Sequence, residues 1–352
     1  MNKESIKFLE SLMGTASPSG FEEPVQKVML KELSGITDET KTDVLGNLAG
    51  IKNAGGTPRI MLAGHCDEIG LMIKYITDEG FLYFATIGGM DPVIIPGQRV
   101  IVHSEKGDIK GVIGKNPIHL MDAEEMKKQI KIEDLWIDIG TKNKKESEKL
   151  VSIGDPVTFD VELINLNNGV MASKAFDDRI GGFIVVETMR QIYKKTFNAA
   201  VFGVSTVQEE VGLRGAKVSS FDIEPDIGIA IDVGFATDYP GINKRKAGDV
   251  KIGAGPILAR GANINPKLGR MLIDTAKKHK IPYQMSGEPR GTGTDANMIQ
   301  LSKSGVAAAL ISIPLRYMHT PVEMLSISDA ENAIKLLVAF ITDLPKKINF
   351  TP

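Results

Sequence analysis

One hexapeptide narrows the choice of fold more than any other stretch of this chain. Arg59-Ile60-Met61-Leu62-Ala63-Gly64 is an almost continuous apolar run. A strand wetted on one face alternates apolar and polar residues. A run without alternation needs cover on both faces, as in a parallel α/β sheet. The segments around it supply that cover. Ile6, Leu9, Leu12 and Met13 recur at helical spacing among charges, so the chain opens with an amphipathic helix. A turn at Ser17-Pro18-Ser19-Gly20 leads to a second helix from about Glu22 to Leu33, then a strand near Lys41–Ile51. Beyond Phe176, helices are expected at Ile180–Thr196, Pro266–His279, Asp295–Ser304 and Ile327–Leu344. Strands are expected at Ala199–Val207, Ile227–Val233 and Val306–Ile313. These flanks make one α/β domain: a doubly wound mixed sheet with helices on both faces.

The texture between them is different. After Gly70 the chain breaks into short alternating segments separated by turns, such as Leu71–Thr77 and Phe81–Ile87 around Asp78-Glu79-Gly80. Arg99–His103 and Ile109–Ile113 form a second such pair. These are hairpin signals. One helix-like segment, Asp122–Ile130, interrupts them. Residues 70–165 are therefore expected to be a small β-rich domain inserted into the catalytic domain of residues 1–69 and 166–352.

A chain of 352 residues has room for both units. Its net charge of −2 gives no electrostatic footprint for nucleic acid or an anionic membrane. No run approaches the ~18 apolar residues of a membrane span. The single cysteine, Cys66, excludes an internal disulfide and cysteine zinc modules. The opening helix is not a signal peptide. A cytoplasmic protein is the resulting expectation.

Polar groups gather just past the ends of the apolar strands, where open α/β sheets place their sites. One strand delivers His65-Cys66-Asp67-Glu68 and another Gln208-Glu209-Glu210. A third ends in Asp232, and a fourth leads to His319. His, Glu, Asp and His are the ligands that a hydrolytic metal site needs. A second metal needs one more carboxylate to bridge, and Asp177, at a helix start, is the candidate; its neighbour Asp178 is the alternative. Charges then balance: Asp177, Glu210, Asp232 and a bridging hydroxide offset two divalent cations. Neighbouring side chains in an extended segment diverge. One member of the Glu209-Glu210 pair can therefore hold metal while the other moves protons. His65 and Asp67 are two apart and share a side, so Asp67 can orient His65.

The segments His65-Cys66-Asp67-Glu68-Ile69-Gly70, Ala175-Phe176-Asp177-Asp178-Arg179-Ile180-Gly181, Gln208-Glu209-Glu210-Val211-Gly212, Asp232-Val233-Gly234 and Arg316-Tyr317-Met318-His319 resemble the tetrahedral, or glutamyl, aminopeptidases, a family of dinuclear metallopeptidases. The resemblance runs through nearly the whole chain in the same order. It implies metal ligands His65, Asp177 (bridging), Glu210, Asp232 and His319, with Glu209 as general base and Asp67 orienting His65. It implies two divalent ions per subunit, zinc or cobalt with manganese admissible. It further implies short peptide substrates, a β-barrel insertion used in assembly, and a homo-oligomer, often a dodecamer.

Several residues have plainer readings. His103, His119 and His279 lack ligand partners and are read as surface residues, and Cys66 should face away from the metals. Gly291-Thr292-Gly293-Thr294-Asp295 lacks the lysine and spacing of a phosphate loop. Thr294 or Asp295 is expected to cap the next helix, with Gly293 a candidate substrate contact. Arg316 and Tyr317 either line the substrate pocket or, for Arg316, simply pair with an acidic neighbour. A carboxypeptidase or deacylase of the same fold is the main alternative. A glycosidase fits poorly, because it needs two carboxyl groups about 5–9.5 Å apart flanking a sugar and has no use for the histidines.

Overall fold

The computed structural model describes residues 1–351. The helices of at least four residues are α1 (Lys3–Gly14), α2 (Glu23–Ser34), α3 (Lys144–Leu150), α4 (Phe176–Ile192), α5 (Arg214–Ile223), α6 (Lys244–Ala247), α7 (Pro266–Lys278), α8 (Ala296–Gln300) and α9 (Ile327–Asp343). Three strands precede the insertion: β1 (Glu39–Thr42), β2 (Leu48–Lys52) and β3 (Arg59–His65). The insertion holds β4 (Gly70–Ile76), β5 (Leu82–Ile87), β6 (Arg99–Ser104), β7 (Gly107–Gly114), β8 (Trp136–Asp138) and β9 (Pro156–Phe159). After it come β10 (Ile164–Asn165), β11 (Val170–Ser173), β12 (Ala200–Thr206), β13 (Ile227–Phe235), β14 (Ile257–Gly261), β15 (Gln284–Glu288), β16 (Ala307–Leu315) and β17 (Glu323–Ser326).

Eight strands form one mixed sheet in the order β1-β2-β12-β3-β13-β16-β14-β15. Its centre, β12-β3-β13-β16, is parallel. Alternate residues of β3 enter different cores. Ile60 and Leu62 pack with α1, α2, α4 and α9, while Met61 and Ala63 pack with Ala216, Ile223 and Ile299 of α5 and α8. Two-sided cover is why the run needed no polar positions. A β-carbon on Gly64 would sit 2.4 Å from the Gly181 backbone, so only glycine lets β3 lie this close to α4. That contact brings the next residue, His65, against the start of α4.

The insertion is a closed six-stranded antiparallel barrel, β4-β5-β8-β7-β6-β9, around Leu71, Ile73, Phe84, Val100, Val102, Ile137 and Val157. A small sheet, β10-β11-β17, lies beside the main one.

Some local expectations fail. The strand near Lys41–Ile51 is a hairpin, because the Asp43 carboxylate accepts the amides of Leu45, Gly46 and Asn47 and turns the chain. The helix over Asp122–Ile130 is absent apart from a turn at Glu125–Lys127. Residues 122–129 are all exposed and only Ile130 reaches the barrel core, so the segment has no apolar face to hold a helix. The insertion's one α-helix is α3 instead, capped by Asn143 and anchored by buried Ser147 on the Gly80 carbonyl. The helix over Asp295–Ser304 shortens to α8, and neither Thr294 nor Asp295 caps it by its side chain. The Thr294 hydroxyl bonds Thr292, and Asp295 turns to Thr206. Among the described residues, no helix is long and apolar enough to cross a membrane.

Candidate metal centre

The strand ends converge as their burial demands. His65 closes β3. Asp232 lies near the end of the adjacent strand β13, where its carboxylate accepts the Val233 amide. Asp177 stands at the head of α4. The Asp177 carboxylate lies between two imidazoles: Oδ1 is 3.3 Å from His65 Nε2 and Oδ2 is 3.2 Å from His319 Nε2. Glu210 Oε1 is 3.6 Å from His319 Nε2, and Glu209 Oε2 is 3.7 Å from His65 Nε2. Two groups could hold an ion, with ligand atoms within 4.8 Å of one another: His65, Asp177 and Glu210, and His65, Asp178 and Asp232.

Asp67 underlies this arrangement. It is fully buried. Its Oδ1 accepts the Glu209 amide at 3.0 Å, and its Oδ2 accepts the Glu210 amide at 3.1 Å and the Ser19 hydroxyl at 2.7 Å. His65 Nδ1 lies 3.1 Å from the Asp67 carbonyl oxygen and 3.4 Å from its carboxylate. The carboxylate therefore grips the Glu209-Glu210 backbone more closely than it grips His65.

The charges test whether cations fit. Burial pushes the Glu209 carboxyl up to about 10; His65 opposes this, and Asp232, Asp295 and Glu210 add to it. Burial and the Asp177 charge push Glu210 up to about 7, against the pull of the two histidines. Asp178 and Asp232 are raised by burial and by neighbouring carboxylates. Burial raises Asp177 too, but His319 and His65 hold it below the ordinary range. The Asp177 contact lifts His319 to about 9. His65 is likewise raised, because Glu209, Asp177 and Asp67 outweigh the opposing burial. So many carboxyl groups around two imidazoles need protons or cations to be tolerated. Glu210 Oε1 is buried without a hydrogen-bond partner among the described residues. An orphaned buried carboxylate oxygen facing a histidine is a ligand atom in waiting. The donor set fits divalent ions.

Arg316 is held by the Asp238 carboxylate through two hydrogen bonds, of 2.8 and 2.7 Å, and by its carbonyl oxygen through a third. Tyr317 is 41% exposed and tilts against Tyr239. Gly293 is exposed at φ +71°. Cys66 is buried, which pushes its thiol up. His103 bonds Asp108 and Thr158, His279 bonds Asp343, and His119 is exposed.

Three features escaped the sequence reading. Glu323 accepts the amides of both Asp177 and His319. Its one signal was an acid at the edge of the apolar stretch Met324-Leu325. Asp295 is buried with one oxygen on Thr206 and the other unpartnered. Gly88-Gly89, at the end of barrel strand β5, abuts the centre. A β-carbon there would meet Glu210 Oε2 at 3.3 Å and His319 Nδ1 at 3.5 Å respectively. A glycine pair after a strand was the available clue.

Comparison with known proteins places this geometry. The M42 glutamyl aminopeptidase family matches residues 46–336. The lysyl aminopeptidase of Pyrococcus furiosus is 37% identical over 98% of this chain and 99% of its own. A TET aminopeptidase from a marine sediment Thaumarchaeota archaeon gives a TM-score of 0.93 at 37% identity, covering 97% of this chain and 96% of that one. The TET1 peptidase of Pyrococcus horikoshii, which can assemble into a tetrahedron or a large octahedral shell, gives 0.86 at 33% identity, over 97% and 100%. A dodecameric PhTET1 structure gives the same score. With the barrel, the mixed sheet and the acidic cluster all in place, the chain belongs to the M42 glutamyl aminopeptidase family, whose members are metal-dependent peptide-bond hydrolases.

Proposed function

We propose that the chain is an aminopeptidase that removes N-terminal residues from short peptides, with His65, Asp177, Glu210, Asp232 and His319 holding two divalent ions and Asp177 shared between them. The observation that carries this is the Asp177 carboxylate, with one oxygen facing each histidine. When bound, such ions polarise the scissile carbonyl and acidify water. The chain's own residues do the rest. Glu209 is the general base: its carboxyl is buried beside His65, its backbone is fixed by Asp67, and it is ionised, as a base must be, once cations offset the burial and the neighbouring carboxylates that raise it. It takes a proton from the attacking water and returns it to the leaving amine. Zinc, cobalt and manganese all suit two imidazoles and three carboxylates.

Arg316, Tyr317 and Gly293 are proposed to line the substrate side. Arg316 and Asp238 neutralise one another, so neither offers a free charge to an incoming side chain. Residues 70–165 are proposed as the assembly domain of a homo-oligomer, a dodecamer by analogy with TET1, and size-exclusion chromatography with light scattering tests it. A lone free thiol suits the reducing cytoplasm.

Glu209→Gln should lower kcat by roughly 10²–10⁴-fold with metal content unchanged. N-terminal acetylation of the substrate should abolish cleavage. Wild-type turnover by Glu209→Gln removes Glu209 from its role, and cleavage of acetylated peptides favours a deacylase or endopeptidase instead.

A further inference from the structure

The two halves of the metal centre hang from different scaffolds. His65 and Asp232 belong to β3 and β13, adjacent parallel strands at the middle of the main sheet. Asp177 and His319 do not. Asp177 follows β11 by four residues, and His319 precedes β17 by four. These two strands pair antiparallel in the small sheet, with Ser173 opposite Glu323. At that position the Glu323 carboxylate closes the gap. Its Oε2 accepts the Asp177 amide at 3.0 Å, and its Oε1 accepts the His319 amide at 2.9 Å. Glu323 is 2% exposed and forms no ion pair within 4.0 Å among the described residues. A buried carboxylate is costly unless its oxygens are satisfied. Here each oxygen takes a backbone N–H from a different ligand residue. His319 sits at φ +60°, a conformation that a non-glycine residue keeps only where its surroundings over-determine it.

We infer that Glu323 is a positioning residue that fixes the Asp177–His319 half of the centre, while the half built on β3 and β13 stands without it. The inference rests on the reading of the five ligands as a two-ion site. A carboxylate is needed because two amides from two segments must both find acceptors. Glutamine would keep its oxygen on one amide and turn its N–H₂ against the other; His319, held at φ +60°, is the residue that gives way, while the Asp177 carboxylate stays between the imidazoles.

The test strips wild type, Glu323→Gln and His319→Ala of metal and titrates each with zinc by calorimetry, counting bound ions by mass spectrometry. Wild type should bind two ions per chain. Glu323→Gln should keep one ion at wild-type affinity and bind the second roughly 10–100-fold more weakly. It should thus resemble His319→Ala in ion binding, with a metal-free melting temperature only modestly lowered by the one unmet amide and a lowered kcat that excess zinc partly restores. Two ions at wild-type affinity in Glu323→Gln, or loss of both together, overturns the inference and leaves the two-ion reading intact. A wild type that binds fewer than two overturns that reading first, and the inference with it. Should Glu323→Gln not fold, hydrogen exchange on metal-free wild type decides. Protected Asp177 and His319 amides support the inference, and rapid exchange of either overturns it.

Discussion

Asp67→Asn is a near-isosteric change whose cost can be worked from the hydrogen bonds. The carboxylate accepts three: Glu209 N–H on Oδ1, and Glu210 N–H and the Ser19 hydroxyl on Oδ2. Asparagine has one acceptor oxygen. Placed at Oδ2, it keeps two bonds and turns its N–H₂ toward the Glu209 amide. Flipped, it loses two bonds instead. The first orientation therefore wins, and the buried Glu209 N–H loses its acceptor. An unsatisfied buried donor costs about 1–3 kcal/mol. If all of that appears as misplacement of Glu209, kcat falls between about fivefold and 150-fold. His65 keeps the Asp67 carbonyl oxygen, 3.1 Å from its Nδ1, so metal affinity should change less than kcat. The assay is steady-state hydrolysis of an aminoacyl-p-nitroanilide, with metal content and melting temperature measured on the same samples. A folded Asp67→Asn protein with kcat within about twofold of wild type refutes the argument that the carboxylate positions Glu209. Lost metal with unchanged turnover per bound ion would mean that it acts through His65 instead.

Glu68 gives a prediction at acid pH. It is buried between Arg179, at 2.5 Å, and Lys174, at 2.6 Å. Burial raises its carboxyl, but these two cations outweigh it and hold the group at about 2 instead of the ordinary 4.5. Burial lowers the Lys174 ammonium, with Arg179 adding to the effect, so Arg179 is the firmer partner. Since the folded value is the lower one, the stabilisation is complete above pH 4.5 and drains as the pH falls toward 2. It amounts to about 3 kcal/mol. Urea unfolding across that window should show wild type losing about this much more than Glu68→Gln, and parallel curves would contradict the pairing. Gly88→Ala places a β-carbon 2.7 Å from Ile69 Cγ2 and 3.3 Å from Glu210 Oε2, on a backbone at φ +75°. Strain of about 1–3 kcal/mol should displace Glu210 and lower kcat about tenfold. An unchanged kcat would show that the barrel does not constrain the centre.

What could be read in advance was whatever leaves a local trace. A strand covered on both faces must be apolar throughout, so β3, β12, β13 and β16 stood out, and so did the polar residues at their ends. Hairpins leave turn residues, which exposed the barrel. The small sheet β10-β11-β17 left almost nothing, because its strands have two to four residues and β17 lies about 150 residues from the other two. Glu323 and the grip of Asp67 on Glu209-Glu210 were invisible for the same reason. Their meaning lies mainly in contacts 142 to 146 residues away, the Glu323 bond to the nearby His319 amide being the exception. The adjacent aspartates show this limit most clearly, since spacing alone cannot choose between Asp177 and Asp178. Their contacts differ in kind. Asp177 turns its oxygens to the two imidazoles, whereas Asp178 Oδ2 accepts the His65 amide at 3.2 Å and its Oδ1 accepts the Gly181 amide at 3.1 Å. A fully buried carboxylate engaged on two backbone amides is a structural anchor, even though it lies close enough to His65 and Asp232 to join them around an ion. Asp177→Asn should therefore abolish binding of both ions in a folded chain. Asp178→Asn should retain both and lose about 1–3 kcal/mol of stability from one broken amide contact. Metal counting and urea unfolding on the two variants measure this directly, and a fully stable Asp178→Asn protein that has lost an ion would exchange the two roles.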